Sequence, residues 1–375
     1  MGPALGTPDD LIIRPVRRDE LGDAATDKAK EQAARSVLAW AERASISIRS
    51  SVTEPFVCRG SLHMLADEMR IGWHPEFRDR LAHLLAGEEG AALSERAPVD
   101  IRTNTLKATR EKVLKALQRF EAQPTGYSPL GVRIAHRPGP ARSPHVEAEG
   151  AHGKGWFEVQ DEGSQMAALL SGAGPRQQVM DFCAGAGGKT LALSSLMKNT
   201  GQLFAYDSDR MRLRPIFERL KRAGARNVQV LNAGETEALT PLEGKMDLVV
   251  IDAPCTGSGV WRRRPDAKWR LSPQMLEARA GEQVAVLDSG AALVKPGGRL
   301  AYITCSVLPI ENRDQVDAFM SRHPDFKIVP WRMLWEAAFP VAPPASADGS
   351  EEALLMTPLG HGTDGFFVAV LERAR

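Results

Sequence analysis

Two cysteines stand at the ends of two apolar segments in the C-terminal half of the chain. Cys255 follows the segment MDLVVID (246–252) within DAPCTGSGV, and Cys305 ends the segment RLAYITC (299–305). A thiolate is a nucleophile, and a neighbouring acid such as Asp252 can exchange a proton with a substrate during a reaction. If the two segments are neighbouring strands of one sheet, both thiols and the acid lie in the same crevice. The pattern therefore predicts covalent catalysis at a thiol.

A glycine-rich turn predicts a ligand site close to these thiols. The sequence MDFCAGAGGKTLAL (180–193) contains a strand end, a turn with Gly185, Gly187 and Gly188, and the start of a helix. Glycines let the backbone approach a ligand closely, and a helix N-terminus offers free N–H groups. The spacing is neither GxGxxG nor that of a P-loop, although Lys189 invites that comparison. Alone, the turn is a weak indication of one ligand class.

The segment QLFAYD (202–207) predicts that the ligand is a nucleoside, because it ends in an acid. Asp207 follows the glycine turn by about twenty residues, where an acid at the end of a second strand binds ribose hydroxyls. The alternative is a helix N-cap, for which Asp209 is a second candidate. NAD and S-adenosylmethionine both contain a ribose. The thiols favour S-adenosylmethionine, because carbon 5 of cytosine can attack a methyl sulfonium once a thiolate has added to carbon 6.

This predicted reaction assigns roles to nearby residues. A protonated Asp252 near ring nitrogen 3 would stabilise the charge that develops on the cytosine, and Lys189 is the nearest cationic candidate to favour a thiolate. One thiol adds to carbon 6, and the other could assist its later elimination. The residues alone do not rank Cys255 and Cys305 for these two roles. Cys183, inside the glycine turn, is expected to be a buried hydrophobic residue.

Alternating apolar and helical segments predict the element that positions these residues. The apolar segments are QVMDF (178–182), QLFAYD (202–207), NVQVL (227–231), MDLVVID (246–252), RLAYITC (299–305), FKIVP (326–330) and GFFVAVL (365–371). Continuous apolar strands separated by helices are typical of a mostly parallel sheet covered on both faces. We therefore predict the α/β fold class, with a doubly wound domain over 156–375, seven strands and an antiparallel closing strand.

The first 155 residues predict three structural units that precede the doubly wound domain. Residues 1–26 are rich in Pro, Gly and Asp and indicate a flexible tail, whereas 27–97 have helical periodicity. Residues 98–155 predict a strand, an amphipathic helix, a second strand and a linker rich in Pro and Gly, which together form a small α/β module.

Composition excludes several classes of protein. The net charge of the 375 residues is only +1, so a basic surface for nucleic acid must be local. WRRRPDAKWR (261–270) is such a surface, whereas the basic stretch 210–226 is equally well explained as a solvated helix face. Four scattered cysteines without a CxxC pair predict neither a metal site nor disulfides. The first residues do not predict a signal peptide, and no apolar run reaches membrane length, so a cytoplasmic protein without membrane association is expected. We also expect a monomer.

Six segments in chain order resemble the motifs of the Sun/Fmu (Nop/Sun) family of RNA cytosine-5 methyltransferases. They are PVDIRTNTLK, FEVQDEGSQ, DFCAGAGGKT, DAPCTGSGVWRRRPDAKW, TCSVLPIEN and GTDGFF, and the resemblance covers roughly 98–375. It implies a Rossmann-like class I methyltransferase domain, S-adenosylmethionine as methyl donor, and a small RNA-binding α/β module ahead of that domain. Ribosomal RNA is the expected substrate, with transfer RNA as the alternative.

The resemblance also implies roles for individual residues. Cys305 resembles the nucleophile and Cys255 the thiol that aids product release, although cytosine-5 DNA methyltransferases use a Pro-Cys thiol, which would favour Cys255. The implied cofactor-binding residues are Cys183, Ala184, Gly185, Ala186, Gly187, Gly188, Lys189, Asp207 and Asp252. The implied RNA-binding residues are Arg262, Arg263, Arg264, Lys268, Arg102 and Asn104.

Two positions depart from the family pattern, and two other functions remain open. Ala186 replaces a proline of the cofactor loop, and Ala233 stands where relatives carry an Asp that contacts adenine, so Asn232 or Glu235 would have to substitute. One alternative is methylation of an amino group, because Asp-Ala-Pro-Cys occupies the place of an Asp/Asn-Pro-Pro-aromatic motif. The other is a ribosome-assembly RNA-binding protein with a degenerate site. The loss of the adenine-contacting acid at Ala233 suggests this alternative.

Overall fold

The computed structural model describes residues 88–136 and 143–375. The predicted tail at 1–26, most of the predicted helical region at 27–97 and six residues of the predicted linker lie outside these ranges. The described chain forms a small antiparallel sheet followed by a larger mixed sheet with helices on both faces. In the same two ranges, no helix has the length and apolar character needed to cross a membrane.

The small sheet has four strands in the order β2-β3-β1-β4. Its elements in chain order are α1 (Glu88–Ala92), β1 (Val99–Thr103), α2 (Arg110–Ala116), β2 (Gln123–Pro124), β3 (Gly131–Ile134), α3 (Gly150–Gly153) and β4 (Phe157–Val159). Helix α2 begins after Thr109, whose hydroxyl caps it by accepting a hydrogen bond from the backbone N of Lys112. Strand β4 pairs with β1, so the sheet continues past residue 155, where the sequence predicted the end of the module.

The large sheet contains all seven predicted strand segments. Its elements are α4 (Glu162–Leu170), β5 (Gln178–Asp181), α5 (Gly188–Leu196), β6 (Gln202–Ala205), α6 (Arg210–Leu213), α7 (Ile216–Ala223), β7 (Val228–Val230), β8 (Met246–Asp252), α8 (Ala267–Arg270), α9 (Pro273–Leu293), β9 (Val294–Thr304), α10 (Arg313–Arg322), β10 (Phe326–Val329), α11 (Trp331–Ala338), β11 (Leu354–Met356), α12 (Pro358–His361) and β12 (Phe366–Arg373). Short 3-10 helices cover Gln118–Phe120, Val146–Ala148, Thr236–Ala238, Thr240–Leu242, Ser258–Val260 and Pro309–Glu311.

The strand order β10-β12-β9-β8-β5-β6-β7 confirms the predicted α/β class. Strands β5, β6, β7, β8 and β9 are parallel to one another. Strand β12 is antiparallel to both β9 and β10, as predicted for a closing strand. An eighth strand, β11, pairs with β12 and was not predicted. It is only three residues long and follows a stretch rich in Pro, Ala and Ser, so no period is visible in the sequence.

Alternate residues of the central strands pack against helices on opposite faces of the sheet. In β9, Leu300 and Tyr302 pack in the same core cluster as residues of α9 and α10, whereas Ala301 and Ile303 pack in the cluster that contains residues of α4 and α11. This alternation follows from the pleat of a strand, and burial on both sides explains why the segment RLAYIT is continuously apolar.

The ladder between β8 and β9 sets the position of the chemistry-bearing residues. The two strands are parallel neighbours, with Asp252 opposite Ile303, and the backbone N of Ala253 donates to the carbonyl of Ile303 at 2.8 Å. Both cysteine loops therefore leave the same edge of the sheet. Strand β5 lies between β8 and β6. The chain runs from β5 to β6 and β7 on one side and then crosses back to β8 on the other side. The strand order therefore reverses beside β5, and doubly wound sheets bind ligands at such a switch point.

Candidate active site

The two predicted catalytic thiols meet. The sulfur atoms of Cys255 and Cys305 are 3.3 Å apart, both residues are free cysteines, and both are half-buried. Thiol contact with Cys305, burial, and the charges of Cys305 and Glu311 raise the pKa of Cys255 well above its ordinary value. Cys255 is therefore held as a thiol at neutral pH, and its S–H can donate a hydrogen bond to the sulfur of Cys305.

A buried lysine pairs with the predicted site acid. Lys189 lies in the first turn of α5 and is only 3% exposed. Its Nζ donates to Oδ2 of Asp252 at 3.1 Å and to the hydroxyl of Ser164 at 3.0 Å, and it lies 5.3 Å from the ring centroid of Phe366. The Asp252 side chain is 35% exposed, so its second oxygen remains accessible from the crevice. The pair combines a protected cation with an acid that a substrate can reach.

The glycine turn has the geometry of a ligand loop. Gly187 has φ +86°, and a Cβ there would lie 2.6 Å from Cγ1 of Ile216, so the turn requires glycine. The backbone N of Gly185 donates to Oδ2 of Asp207 at 2.8 Å, which ties the loop to the end of β6. The change to Ala186 leaves this turn intact, and its carbonyl accepts a hydrogen bond from Arg219 at 2.8 Å.

The two candidate acids after β6 have different roles in the fold. Asp209 is the N-cap of α6, since its side chain accepts hydrogen bonds from the backbone N atoms of Met211 and Arg212. Asp207 is buried, and its oxygens accept from the backbone N atoms of Gly185 and Asp209. Its remaining lone pairs are those that a ribose would use, so the geometry is compatible with the predicted role.

An acid that the sequence analysis missed lies under the same loop. Asp181 ends β5 and is fully buried, with Oδ2 accepting from Thr190 at 2.6 Å and Oδ1 without a hydrogen-bond partner. Burial, together with the charges of Asp252 and Asp207, raises the pKa of Asp181 to about 7. An orphaned buried oxygen beside a glycine turn suits an ammonium donor such as that of the methionine part of S-adenosylmethionine. Its position directly before the turn was the available signal.

Three further expectations concern residues around the cofactor loop. Cys183 packs against the core cluster on one face of the sheet, and burial raises the pKa of its thiol well above the ordinary value, so it behaves as the expected hydrophobic residue. Ala233 packs beside Ile216 and Leu213 and offers no polar group to a base. Asn232 and Glu235 bond to each other, with Nδ2 to Oε2 at 2.8 Å. Both are exposed, so they present polar atoms near the end of β7.

The basic segment after Cys255 is not uniformly available to RNA. Arg262 and Arg263 both bond Asp364 through Nε, and Nη2 of Arg263 lies 2.9 Å from Oδ2 of Asp161. The Arg262 side chain is only 6% exposed, so its charge serves this internal cluster. Arg264 is exposed to solvent. Among the predicted RNA contacts in this segment, Arg264 and Lys268 keep that role as predictions, and the position of Arg262 favours a structural one.

Arg102 and Asn104 lie at the junction between the two sheets. The side-chain N of Asn104 donates to the carbonyls of Gly155 and Ala223 at 2.8 Å each, which joins the small sheet to α7. Arg102 donates through Nε to Gln160 at 2.6 Å, and burial lowers its pKa to about 10. Because both side chains are buried, their positions do not support the predicted direct contact with RNA. The sequence could not reveal this, since the junction involves residues more than fifty positions apart.

Comparison with protein families identifies the domain around this site. The family model described as "16S rRNA methyltransferase RsmB/F" matches residues 168–372, which is more than half of the chain and extends from α4 to β12. A second model, for the C-terminal domain 7 of the ABC-three component systems, matches residues 14–81, outside the described ranges. The first match confirms the resemblance to Sun/Fmu methyltransferases.

Individual relatives agree with this match. "Probable ribosomal RNA small subunit methyltransferase B" of Synechocystis sp. is 30% identical over 320 residues, covering 82% of this chain and 69% of that protein. "Ribosomal RNA small subunit methyltransferase B" of Salmonella typhi is 34% identical over 284 residues, covering 75% of this chain and 61% of that protein. This chain thus spans 61% to 69% of the length of these two relatives.

A solved structure supports the same assignment. A methyltransferase homolog protein from Pyrococcus horikoshii superposes with a TM-score of 0.64 at 27% identity, covering 83% of this chain and 99% of that chain. Since the segment matched by the family model includes β5, β8 and β9, and with them the glycine turn and both thiols, the chain belongs to the RsmB/F family of S-adenosylmethionine-dependent RNA methyltransferases.

Proposed function

We propose that this protein methylates carbon 5 of a cytosine in ribosomal RNA through a covalent adduct between Cys305 and carbon 6 of the base. The observation that carries the proposal is the 3.3 Å contact between two free thiols at the ends of adjacent parallel strands. Methylation of an exocyclic amino group needs no thiol, so a pair of thiols beside the site acid favours carbon over nitrogen as the methyl acceptor.

The environment of the two thiols favours Cys305 as the nucleophile. Cys255 carries a raised pKa and stays protonated, and its S–H can stabilise a thiolate on Cys305 by donating a hydrogen bond. The thiolate adds to carbon 6 with its electron pair, and the ring electrons move towards nitrogen 3.

Lys189 and Asp252 supply the proton that this addition requires. The ammonium group of Lys189 gives a proton to the Asp252 carboxylate, 3.1 Å away, which passes it to ring nitrogen 3 as the carbon–sulfur bond forms. Lys189 has the hydroxyl of Ser164 as its second acceptor, which orients the ammonium group. S-adenosylmethionine supplies the electrophilic methyl group that carbon 5 attacks.

Release of the product uses the second thiol. The proton on carbon 5 passes to solvent, the double bond between carbons 5 and 6 re-forms as Cys305 leaves as a thiolate, and the proton on nitrogen 3 returns through Asp252 to Lys189. The S–H of Cys255, 3.3 Å from that sulfur, stabilises the departing thiolate by a hydrogen bond. Without Cys255 the adduct should persist, since elimination lacks this donor.

Adduct trapping tests the proposal. Wild type, Cys255→Ala, Cys305→Ala and the control Cys183→Ala are incubated with ribosomal RNA and S-adenosylmethionine and run on denaturing gels. We expect an RNA-shifted protein band in Cys255→Ala and none in Cys305→Ala, while Cys183→Ala should accumulate no adduct because it keeps both of these thiols. A band in Cys305→Ala alone would exchange the two roles.

Measurements of activity and of cofactor binding separate the alternative functions. Amino-group methylation predicts that both thiol variants keep full activity. A degenerate site predicts that calorimetry detects no binding of S-adenosylmethionine. The ribosomal substrate is supported by the names of the two relatives, and tritiated methyl transfer to ribosomal RNA against transfer RNA is the test.

A further inference from the structure

A fully buried glutamate lies behind the two cysteines. Glu311 closes the 3-10 helix that follows the Cys305 loop, and its side chain is 0% exposed. Oε1 accepts hydrogen bonds from the backbone N of Thr256 at 2.8 Å and from Nε2 of Gln283 at 3.1 Å. Oε2 accepts from the hydroxyls of Thr256 and Ser306 at 2.5 Å each. Each carboxylate oxygen therefore has two donors.

These contacts join the residues that directly follow the two cysteines. Thr256 is the neighbour of Cys255 in the chain, and Ser306 is the neighbour of Cys305. The ladder between β8 and β9 ends just before the thiols, and the other links, such as the backbone N of Gly259 to the carbonyl of Cys305 at 3.0 Å, come from farther along the first loop. The Glu311 carboxylate thus joins the residue directly after Cys255 to the residue directly after Cys305.

The four donors match a carboxylate better than any other side chain. All four partners within the described residues are uncharged, so the buried charge is stabilised by hydrogen bonds alone. Burial of a charge is unfavourable unless its acceptor sites are filled, and here they are. A glutamine whose NH2 group faces the Thr256 backbone N and Nε2 of Gln283 would lose both hydrogen bonds, and one whose NH2 group faces the two hydroxyls would require both of them to rotate into acceptors.

Glu311 also acts on the thiols through its charge. The negative charge is one of the causes that raise the pKa of Cys255, together with the thiol contact and burial. Loss of that charge would make Cys255 easier to ionise. The carboxylate therefore bonds both cysteine loops and helps to keep Cys255 protonated.

We propose that Glu311 is a positioning residue that holds the Cys255 and Cys305 loops in register and so sets the relative placement of the two thiols. This inference rests on the proposed covalent mechanism. It assigns Glu311 no contact with RNA or cofactor, since its side chain is buried behind the loops.

Two variants and one matched control test the role. Glu311→Gln removes the charge while conserving size, and Thr256→Val removes one donor to the carboxylate and leaves the backbone N–H in place. Glu162→Gln is the control, because Glu162 is also a buried carboxylate that accepts from two backbone N atoms, and its partners, Tyr127, Ser128 and Arg133, belong to neither cysteine loop. The rate of adduct formation is measured with each change in a Cys255→Ala background.

A second readout distinguishes positioning from loss of fold. With Cys255 present, each variant is treated with limiting iodoacetamide, and mass spectrometry gives the ratio of alkylation at Cys255 to that at Cys305. We expect Glu311→Gln to slow adduct formation about 10- to 100-fold, the value of one hydrogen bond to a charged group, and to shift alkylation towards Cys255. Thr256→Val should change both in the same direction by less, and the affinity for S-adenosylmethionine should stay at the wild-type value in both.

Wild-type adduct rates and alkylation ratios in both variants would overturn the role of Glu311. If Glu311→Gln does not fold, Thr256→Val alone decides, because it keeps the carboxylate and three of its donors. If the Cys255→Ala background traps no adduct at all, the proposed mechanism fails, whereas the alkylation ratio still tests whether Glu311 positions the two thiols.

Discussion

Replacement of Arg262 by methionine is expected to destabilise the fold rather than to weaken RNA binding. The Arg262 side chain is 6% exposed and bonds Asp364, which is 1% exposed, while its Nη2 lies 3.5 Å from Asp161. Methionine keeps the aliphatic volume and removes the charge. The two carboxylates would then share Arg263 as their one remaining cation in the described part of this cluster.

The loss of folding free energy depends on the ion pairs that Asp161 and Asp364 keep with Arg263. Removal of one partner from a buried ion pair costs about 3–5 kcal/mol, and the continued pairing with Arg263 places this case near the lower value, about 3 kcal/mol. For a domain of this size that corresponds to a decrease in Tm of about 6–12 °C. Burial and the charge of Asp364 already raise the pKa of Asp161 in the folded protein. The stability that a protonated Asp161 contributes is therefore lost as pH rises through its folded pKa, so the Arg262→Met defect should grow as pH rises.

Calorimetric melts and RNA titrations across a salt series measure the two effects separately. Arg264→Ala is the matched control, because Arg264 is exposed and its loss should change stability by no more than about 0.5 kcal/mol. Arg264→Ala should instead weaken RNA binding and reduce the salt slope by about one. The reasoning would be refuted by an Arg262→Met protein that melts like wild type and loses RNA affinity.

Three other changes have expected outcomes. Asp181→Asn should flatten the pH dependence of the stability of the cofactor-free protein. Because the folded pKa of Asp181 is about 7, the stability that this residue contributes is present below its unfolded pKa and is lost as pH rises through 7. Thermal melts from pH 5 to 8 measure this. Gly187→Ala should weaken S-adenosylmethionine binding at least about tenfold by calorimetry, given φ +86° and a Cβ 2.6 Å from a neighbouring side chain, whereas Gly281→Ala, where a Cβ meets nothing within 4 Å, should bind normally. Ser164→Ala should slow methyl transfer about 5- to 10-fold and alter its pH profile without changing the KM for RNA, because Lys189 loses one acceptor; an unchanged profile would contradict the proposed proton route.

The sequence predicted the large sheet well because its strands are buried on both faces. Seven continuous apolar segments, from 178–182 to 365–371, each overlap an observed strand. Such runs are visible locally, and their alternation with helices implies parallel order. The strands that escaped prediction, β2 and β11, have two and three residues, too few to show a period. The pairing of β4 with β1 depends on a contact across the chain, so the end of the small module was predicted too early.

Residue types and their place in the sequence determined the chemistry of the site. A cysteine after Asp-Ala-Pro, a cysteine at the end of a neighbouring strand and a glycine turn before Lys189 were sufficient to predict paired thiols near a nucleoside site. Their local patterns reflect backbone requirements that act over a few residues, such as the left-handed turn at Gly187. Each of these features can therefore be recognised without knowledge of the fold.

Only the tertiary structure decided which charged groups are available and which are internal. Arg262 and Arg264 are two positions apart and identical in type, yet one bonds a buried aspartate about a hundred residues away and the other is exposed. Likewise, Glu311 gains its position behind both thiols from hydrogen bonds to Thr256 and Gln283, which no local pattern connects to it. The physical reason is that burial and pairing depend on neighbours brought together by the sheet, whereas composition and spacing report only the chain itself.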